Sequence, residues 1–185
     1  MTSKIDLISN ALILIGDVPI NTFVGDERRK VVSRNLYDNI IENELTKHRW
    51  GFARKKAQLS LISTAPEDKE WSHSYELPSD LLSLTRVYPS LNYQVYGSQV
   101  YCNYNQALYA DYTFKAPEAK WPAYFAKMIE YALAKDFSTS IRDSTASRQA
   151  MAAEYEIASR MARFTDSQQH PQVAIQHRPF ILARS

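Results

Sequence analysis

The spacing of apolar residues changes period twice along this chain of 185 residues. Up to about His48, Leu, Ile and Ala recur three and four positions apart, the spacing of one helix face. From Ala57 to Lys115 the pattern alternates every second residue, as in a strand with one face covered. From Trp121 to Phe164 the helical spacing returns. A chain with helical ends and a strand-forming middle is confined to the α+β class. The spacing predicts a four-helix bundle core, an antiparallel β-rich insertion over 57–115 and an extended tail.

Local signals sharpen the helix limits. A first helix is expected over 3–15, capped by Ser3 and carrying Asp6 in its first turn. Leu7, Ile8, Ala11, Leu12 and Ile15 form its apolar stripe, and Gly16 suits the left-handed position that ends a helix. Pro19 drives Val18 toward an extended backbone, so the chain must turn there. A second helix is expected over 26–48, opened by Asp26, with Val32, Leu36, Ile40, Ile41 and Leu45 inward. Trp50 and Phe52 follow it directly and read as a hydrophobic plug at the end of the core. A third helix is expected over 121–141, with Pro122 in its first turn. Its apolar positions are Phe125, Met128, Ile129, Ala132, Leu133 and Phe137. A fourth, over 144–164, places Ala150, Ala153, Ile157, Met161 and Phe164 on its inner stripe. The domain thus spans 1–165, and residues 166–185 form a C-terminal arm with one apolar patch, Phe180-Ile181-Leu182.

Within the insertion the clearest hairpin is Asn92–Tyr96 and Gln99–Tyr104 around Gly97-Ser98, a two-residue loop suited to a type II′ turn. Leu108–Phe114 is expected to complete a meander with it. Eight of the twelve tyrosines fall between Tyr75 and Tyr112. They suit half-buried strands, and Tyr93, Tyr96 and Tyr101 are candidates for a partner-docking face.

Charge is unevenly placed. Residues 26–56 hold nine Lys/Arg against five Asp/Glu, whereas residues 57–120 hold four against seven. Arg28, Arg29, Lys30 and Arg34 crowd a helix N-terminus whose dipole disfavours cations, with only Asp26 and Glu27 to compensate. Such a choice fits either an exposed, solvated face or a surface for phosphate. A second basic cluster, Arg49, Arg54, Lys55 and Lys56, surrounds the Trp50 and Phe52 plug.

Catalytic and cofactor patterns do not emerge. Gly16, Gly25, Gly51 and Gly97 are the only glycines, and they form neither a phosphate loop nor a dinucleotide turn. Cys102 lies in a strand pattern and cannot form an internal disulfide. His170 and His177 lack zinc-ligand spacing, Glu42 and Glu44 point to different sides of their helix, and His48 suits a helix C-terminus. No apolar run approaches the roughly 20 residues that span a bilayer. We therefore expect neither an enzyme nor a membrane protein, with no cofactor and no metal.

Several blocks in order resemble phage tail tubular protein A, the family of head-to-tail adaptors. They are Ala11-Leu12 with Ile15-Gly16 and Pro19-Ile20, then Asn35-Leu36-Tyr37-Asp38, then His48, Trp50 and Phe52-Ala53. Tyr75-Glu76-Leu77-Pro78-Ser79-Asp80, Leu84 with Val87, Tyr112–Phe114 and Trp121-Pro122 continue the match over roughly residues 5–165. The resemblance implies a helical bundle with a β-rich insertion and no catalytic residues. It implies a virion structural protein, made in the host cytoplasm, that forms a homo-oligomeric ring of twelve subunits at the head–tail interface. Such a ring joins the portal protein to the tail nozzle or tail terminator and lets double-stranded DNA pass. In that setting Arg28, Arg29, Lys30 and Arg34 are candidates to line the DNA channel, and Phe180, Ile181 and Leu182 to dock on the portal or a neighbour. The alternative is a small monomeric DNA-binding or regulatory module that uses the basic patch at 49–56.

Overall fold

The computed structural model describes residues 3–64, 66 and 69–169. Helix α1 (Lys4–Leu14) begins as its sequence predicts. The Ser3 hydroxyl accepts the Asp6 N–H at 3.2 Å and the Asp6 carboxylate accepts the Ser3 N–H at 3.0 Å, a reciprocal capping box. It ends as predicted too. Gly16 sits at φ 72°, the Gly16 N–H reaches Ile13 O at 3.0 Å, and the Asp17 N–H reaches Leu12 O at 2.9 Å. These two bonds satisfy carbonyls that a helix end leaves open.

Helix α2 (Arg28–Thr46) is shorter than the expected 26–48. Its cap is Glu27 rather than Asp26, and no side chain bonds the first-turn amides. Gly25, at φ 117°, and the carbonyls of Phe23 and Val24, bound by Arg34 and Lys30, hold the loop open until Glu27. Helices α3 (Ala123–Ser140) and α4 (Thr145–Gln168) follow the sheets. Ser144 caps α4 by accepting the Ser147 N–H at 3.2 Å. Helix α4 runs to Gln168, so residues 166–168 belong to it and not to an arm starting at 166. No helix among the described residues is long and apolar enough to cross a membrane.

The α+β class holds, but the four-helix bundle core does not. Helix α3 is central, and α1, α2 and α4 each make their main helical packing against it. Asn10 of α1 bonds Glu130 at 2.6 Å, whereas Tyr124, Lys135 and Ser138 face α4. At 3.6 residues per turn those positions lie about a third of a turn away from Glu130. The helices therefore radiate from α3 instead of closing a square. The physical reason is that α4 turns its predicted apolar stripe outward and gives the helical core only Tyr155 and Ala162, with Met151 and Ala158 at its edge.

Seven strands form two antiparallel sheets. One has the order β1 (Arg54–Gln58), β7 (Tyr109–Phe114), β4 (Leu81–Tyr88). The other has the order β2 (Ser60–Leu61), β3 (His73–Glu76), β6 (Gln99–Cys102), β5 (Tyr93–Tyr96). The β5–β6 hairpin closes at Gly97, φ 58°, with Tyr96 opposite Gln99. The expected meander is not formed, because β7 leaves this hairpin and inserts between β1 and β4. Ala110, Asp111, Tyr112 and Thr113 are all buried, so both faces of β7 are covered. Asp111 mimics an outward polar residue in the sequence, but Arg54 pairs with it at 2.8 Å inside the structure.

The two sheets share a core of Leu59, Tyr75, Val87, Val100, Cys102, Leu108, Ala110 and Tyr112. A second core lies among the helices, and Phe114 touches both. The β region is thus part of the domain and leans on α2 through β4 and β7. Trp50 does plug the helical core. It meets Phe125 edge-on at 4.9 Å, Phe125 also meets Phe52 and Trp121, and the Trp50 indole N–H donates to Glu44 O at 2.9 Å.

Candidate functional site

Helix α4 has two distinct long faces, and their roles are reversed from what hydropathy suggests. The face on α3 is small and polar: Tyr155, Ser159, Ala162 and Asp166 are buried there. Small residues let the two helices approach closely, and the polar ones are fully engaged. The Tyr155 hydroxyl donates to Glu44 Oε2 at 2.7 Å, and Lys47 Nζ donates to Glu44 Oε1 at 2.6 Å. Glu44 is itself buried, so a carboxylate of α2 is held by a cation and a phenol. Asp166, 1% exposed, accepts the Gly51 N–H at 3.1 Å on both oxygens and the Tyr124 hydroxyl at 2.8 Å. His48 Nε2 lies 3.5 Å from it.

These bonds tie α4 to α2, α3 and the turn at Gly51. Burial, then the bond to Glu44, raises the Tyr155 phenol above its ordinary value. Burial, then the bond to Asp166, does the same for Tyr124. Burial pulls Lys47 down, but its bonds to Glu44 and Tyr155 outweigh that and raise it.

The opposite face carries Ala150, Ala153, Ile157, Met161 and Phe164, all exposed. Ile157 is 51% exposed, Met161 59% and Phe164 58%. The spacing correctly grouped these five residues on one stripe, but the stripe points to solvent and not to the core. Turning α4 over would bury each large side chain at a gain of about 1.5–3 kcal/mol. It would also take the Tyr155 phenol from buried Glu44, leaving only Lys47 on it, and strand the Tyr124 hydroxyl and the Gly51 N–H without partners, at about 1–3 kcal/mol each. The α3 surface is already built for the polar face. This exposed apolar stripe on a well-anchored helix is the candidate association surface of the molecule.

The predicted cation quartet is occupied locally. Arg28 makes a two-pronged contact with Asp143, both distances 3.0 Å, and donates to Ser140 O. Arg29 pairs with Glu27 and approaches Asp17 at 3.6 Å. Lys30 pairs with Glu27 at 2.9 Å and donates to Val24 O. Arg34 donates to Phe23 O at 2.8 Å. Together they fasten the connection between α1 and α2 to the end of α3, which accounts for cations at an unfavourable helix end. Arg28 and Arg34 remain exposed.

In the second basic cluster, Arg49 and Arg54 converge on Asp111 and Lys55 pairs with Asp80 at 2.7 Å. Lys56 lies over the Tyr88 ring at 4.2 Å. Of the three candidate tyrosines, Tyr96 and Tyr101 meet edge-on at 5.2 Å on the outer side of the hairpin. Tyr93 lies opposite Cys102 and packs on the β core instead. Phe180, Ile181, Leu182, His170 and His177 lie outside the described residues.

The Tyr75–Asp80 block is architectural. The Tyr75 hydroxyl donates to Tyr104 O and Gln106 O at 2.9 and 2.8 Å. Asp80 accepts from both Lys55 and the Tyr112 hydroxyl, which ties β1 to β7. Cys102 is buried, and burial pushes its thiol up, away from the reactive thiolate. Among the described residues no group of three or more His, Cys, Asp or Glu side chains is placed to hold a metal. Sequence reasoning missed Asp166 and Glu44 as buried anchors, since Gly51 and Tyr124 for the one and Tyr155 for the other are distant in the chain. No protein-family model matches this chain, and no curated protein matches it.

Proposed function

We propose that the chain is a virion structural protein, a head-to-tail adaptor subunit that assembles in a ring between the portal protein and the tail nozzle or tail terminator. The observation that supports this reading is the outward apolar face of α4, a surface suited to association on a helix already fixed by its other face. The ordered blocks from Ala11 to Pro122 supply the family, and with it the twelve-fold ring and the virion location. Double-stranded DNA would pass through the ring without sequence reading. Arg34, exposed and paired with no carboxylate among the described residues, would meet its phosphates through salt-dependent attraction, whereas Arg28 would first have to leave Asp143. The competing DNA-binding module draws less support, because Arg49 and Arg54 are already spent on Asp111.

Negative-stain microscopy of the full chain mixed with the portal protein of the same genome tests the proposal. The expected result is a ring seated on the portal. A chain that stays monomeric, ignores the portal and shifts duplex DNA in a salt-dependent manner would overturn it.

A further inference from the structure

We propose that the apolar face of α4 is the seat of the chain's own C-terminal segment, with Phe180, Ile181 and Leu182 lying on Ile157, Met161 and Phe164. The docking does not depend on the adaptor reading. It starts from a stripe that the fold does not need: the opposite face of α4 already makes the packing with α3 and the bonds of Tyr155 and Asp166.

Reach is the first argument for this occupant. Residues 170–185 follow directly on the end of α4. From Gln169 to Phe180 the chain can extend about 36 Å at roughly 3.3 Å per residue. The stripe from Gln168 back to Ala150 is only about 27 Å long at 1.5 Å per residue. The triplet can therefore reach any point of its own helix.

Chemistry is the second argument. Phe180-Ile181-Leu182 is the one run of three large apolar residues in that segment. It is bracketed by Arg178 and Arg184, and no Asp or Glu lies between 170 and 185. Glu154 borders the stripe, four positions after Ala150 and three before Ile157, and makes no ion pair among the described residues. On the other flank Arg163 is turned to Ser159 and Arg160 to the Glu156 carbonyl. A cationic, apolar-centred segment thus meets an apolar stripe with one carboxylate, Glu154, on one border, opposite the flank that carries Arg160 and Arg163. The third argument is concentration. A short tether holds its end at an effective concentration of about a millimolar, well above a second copy at micromolar levels. If the adaptor reading also holds, a partner that captures Phe180–Leu182 uncovers the stripe, so capture of the arm would release the surface for assembly.

Paired cysteines test this in the full chain. Ile157→Cys with Leu182→Cys, in a Cys102→Ala background, is oxidised at low micromolar concentration and mapped by peptide mass spectrometry. Ile13→Cys with Leu182→Cys is the control, since Ile13 is exposed on α1. The proposal expects an intrachain link for the first pair and little for the control. Links mainly between chains would assign the stripe to a second copy and overturn it, as would equal linking of both pairs or none. A second readout avoids the cysteines. Replacing Phe180, Ile181 and Leu182 by Ser should raise binding of an apolar-surface dye several-fold, and unchanged dye binding contradicts the proposal.

Discussion

Helices α1 and α4 carry apolar stripes of the same period and treat them oppositely. In α1, Leu7, Ile8, Ala11 and Leu12 are buried, as is Ile15 just past its end. In α4, the stripe from Ala150 to Phe164 lies in solvent, while Tyr155, Ser159 and Asp166 are buried. The difference lies in what each helix faces. Helix α1 packs its stripe into the apolar core around α3, with Asn10 on Glu130 at its edge, whereas α4 meets Tyr124, Lys135 and Ser138, and its polar residues have partners there. Period identifies residues that share a face. The surface opposite decides which face goes in.

The largest effect separating the two helices is cavity formation. Leu12→Ala should cost about 2–5 kcal/mol, because a buried methylene set is lost and the site closes only partly. Met161→Ser should stay within about 0.5 kcal/mol. Urea unfolding of both variants checks this, and a similar loss in the two would erase the distinction. Next comes the polar anchor. Asp166→Ala should cost about 1–3 kcal/mol for each group it leaves unpaired, the Gly51 N–H and the Tyr124 hydroxyl. Asp166→Asn should recover part of that loss.

Titration should also divide the helices. Tyr124 and Tyr155 have raised values in the fold, so their stabilisation is fully present below the unfolded value of about 10. It is lost as pH rises through the folded values, because the unfolded chain gives up those protons first. The carboxyl of Asp6 in α1 is lowered by its side-chain and backbone bonds with Ser3. Its contribution is present above about 4 and is lost as pH falls through the folded value. Amide exchange followed from pH 4 downward should loosen the first turn of α1. Unfolding midpoints followed above pH 10 should drop less in the Tyr155→Phe variant than in the parent. The smallest effect concerns the cation quartet: Arg28→Ala, at an exposed pair with Asp143, should cost about 0.2–1 kcal/mol.

Much of the local structure is legible in the sequence. Ser3, Gly16 and Gly97 each act where their chemistry predicts, because capping and turn formation depend on neighbours a few residues away. Trp50 and the α3 stripe are likewise where apolar bulk predicts. The errors cluster where partners are distant. Asp166 reads as the first residue of a solvated arm until Gly51 is placed against it. β7 reads as the last strand of a meander until Arg54 covers Asp111 and β1 and β4 take its two edges. The partners of the cation quartet are likewise supplied by the fold, which brings Asp143 and the Phe23 carbonyl beside Arg28 and Arg34. Of the candidate site, the α4 stripe was visible as a set, while its direction required α3.

The most direct test replaces Ile157 and Met161 together by Asp in the full chain, then measures urea stability and attachment to the portal side by side. The account predicts stability within about 1 kcal/mol of the parent, as at exposed positions, and loss of ring assembly on the portal. A collapse of stability by several kcal/mol, or full assembly with both charges in place, would contradict it.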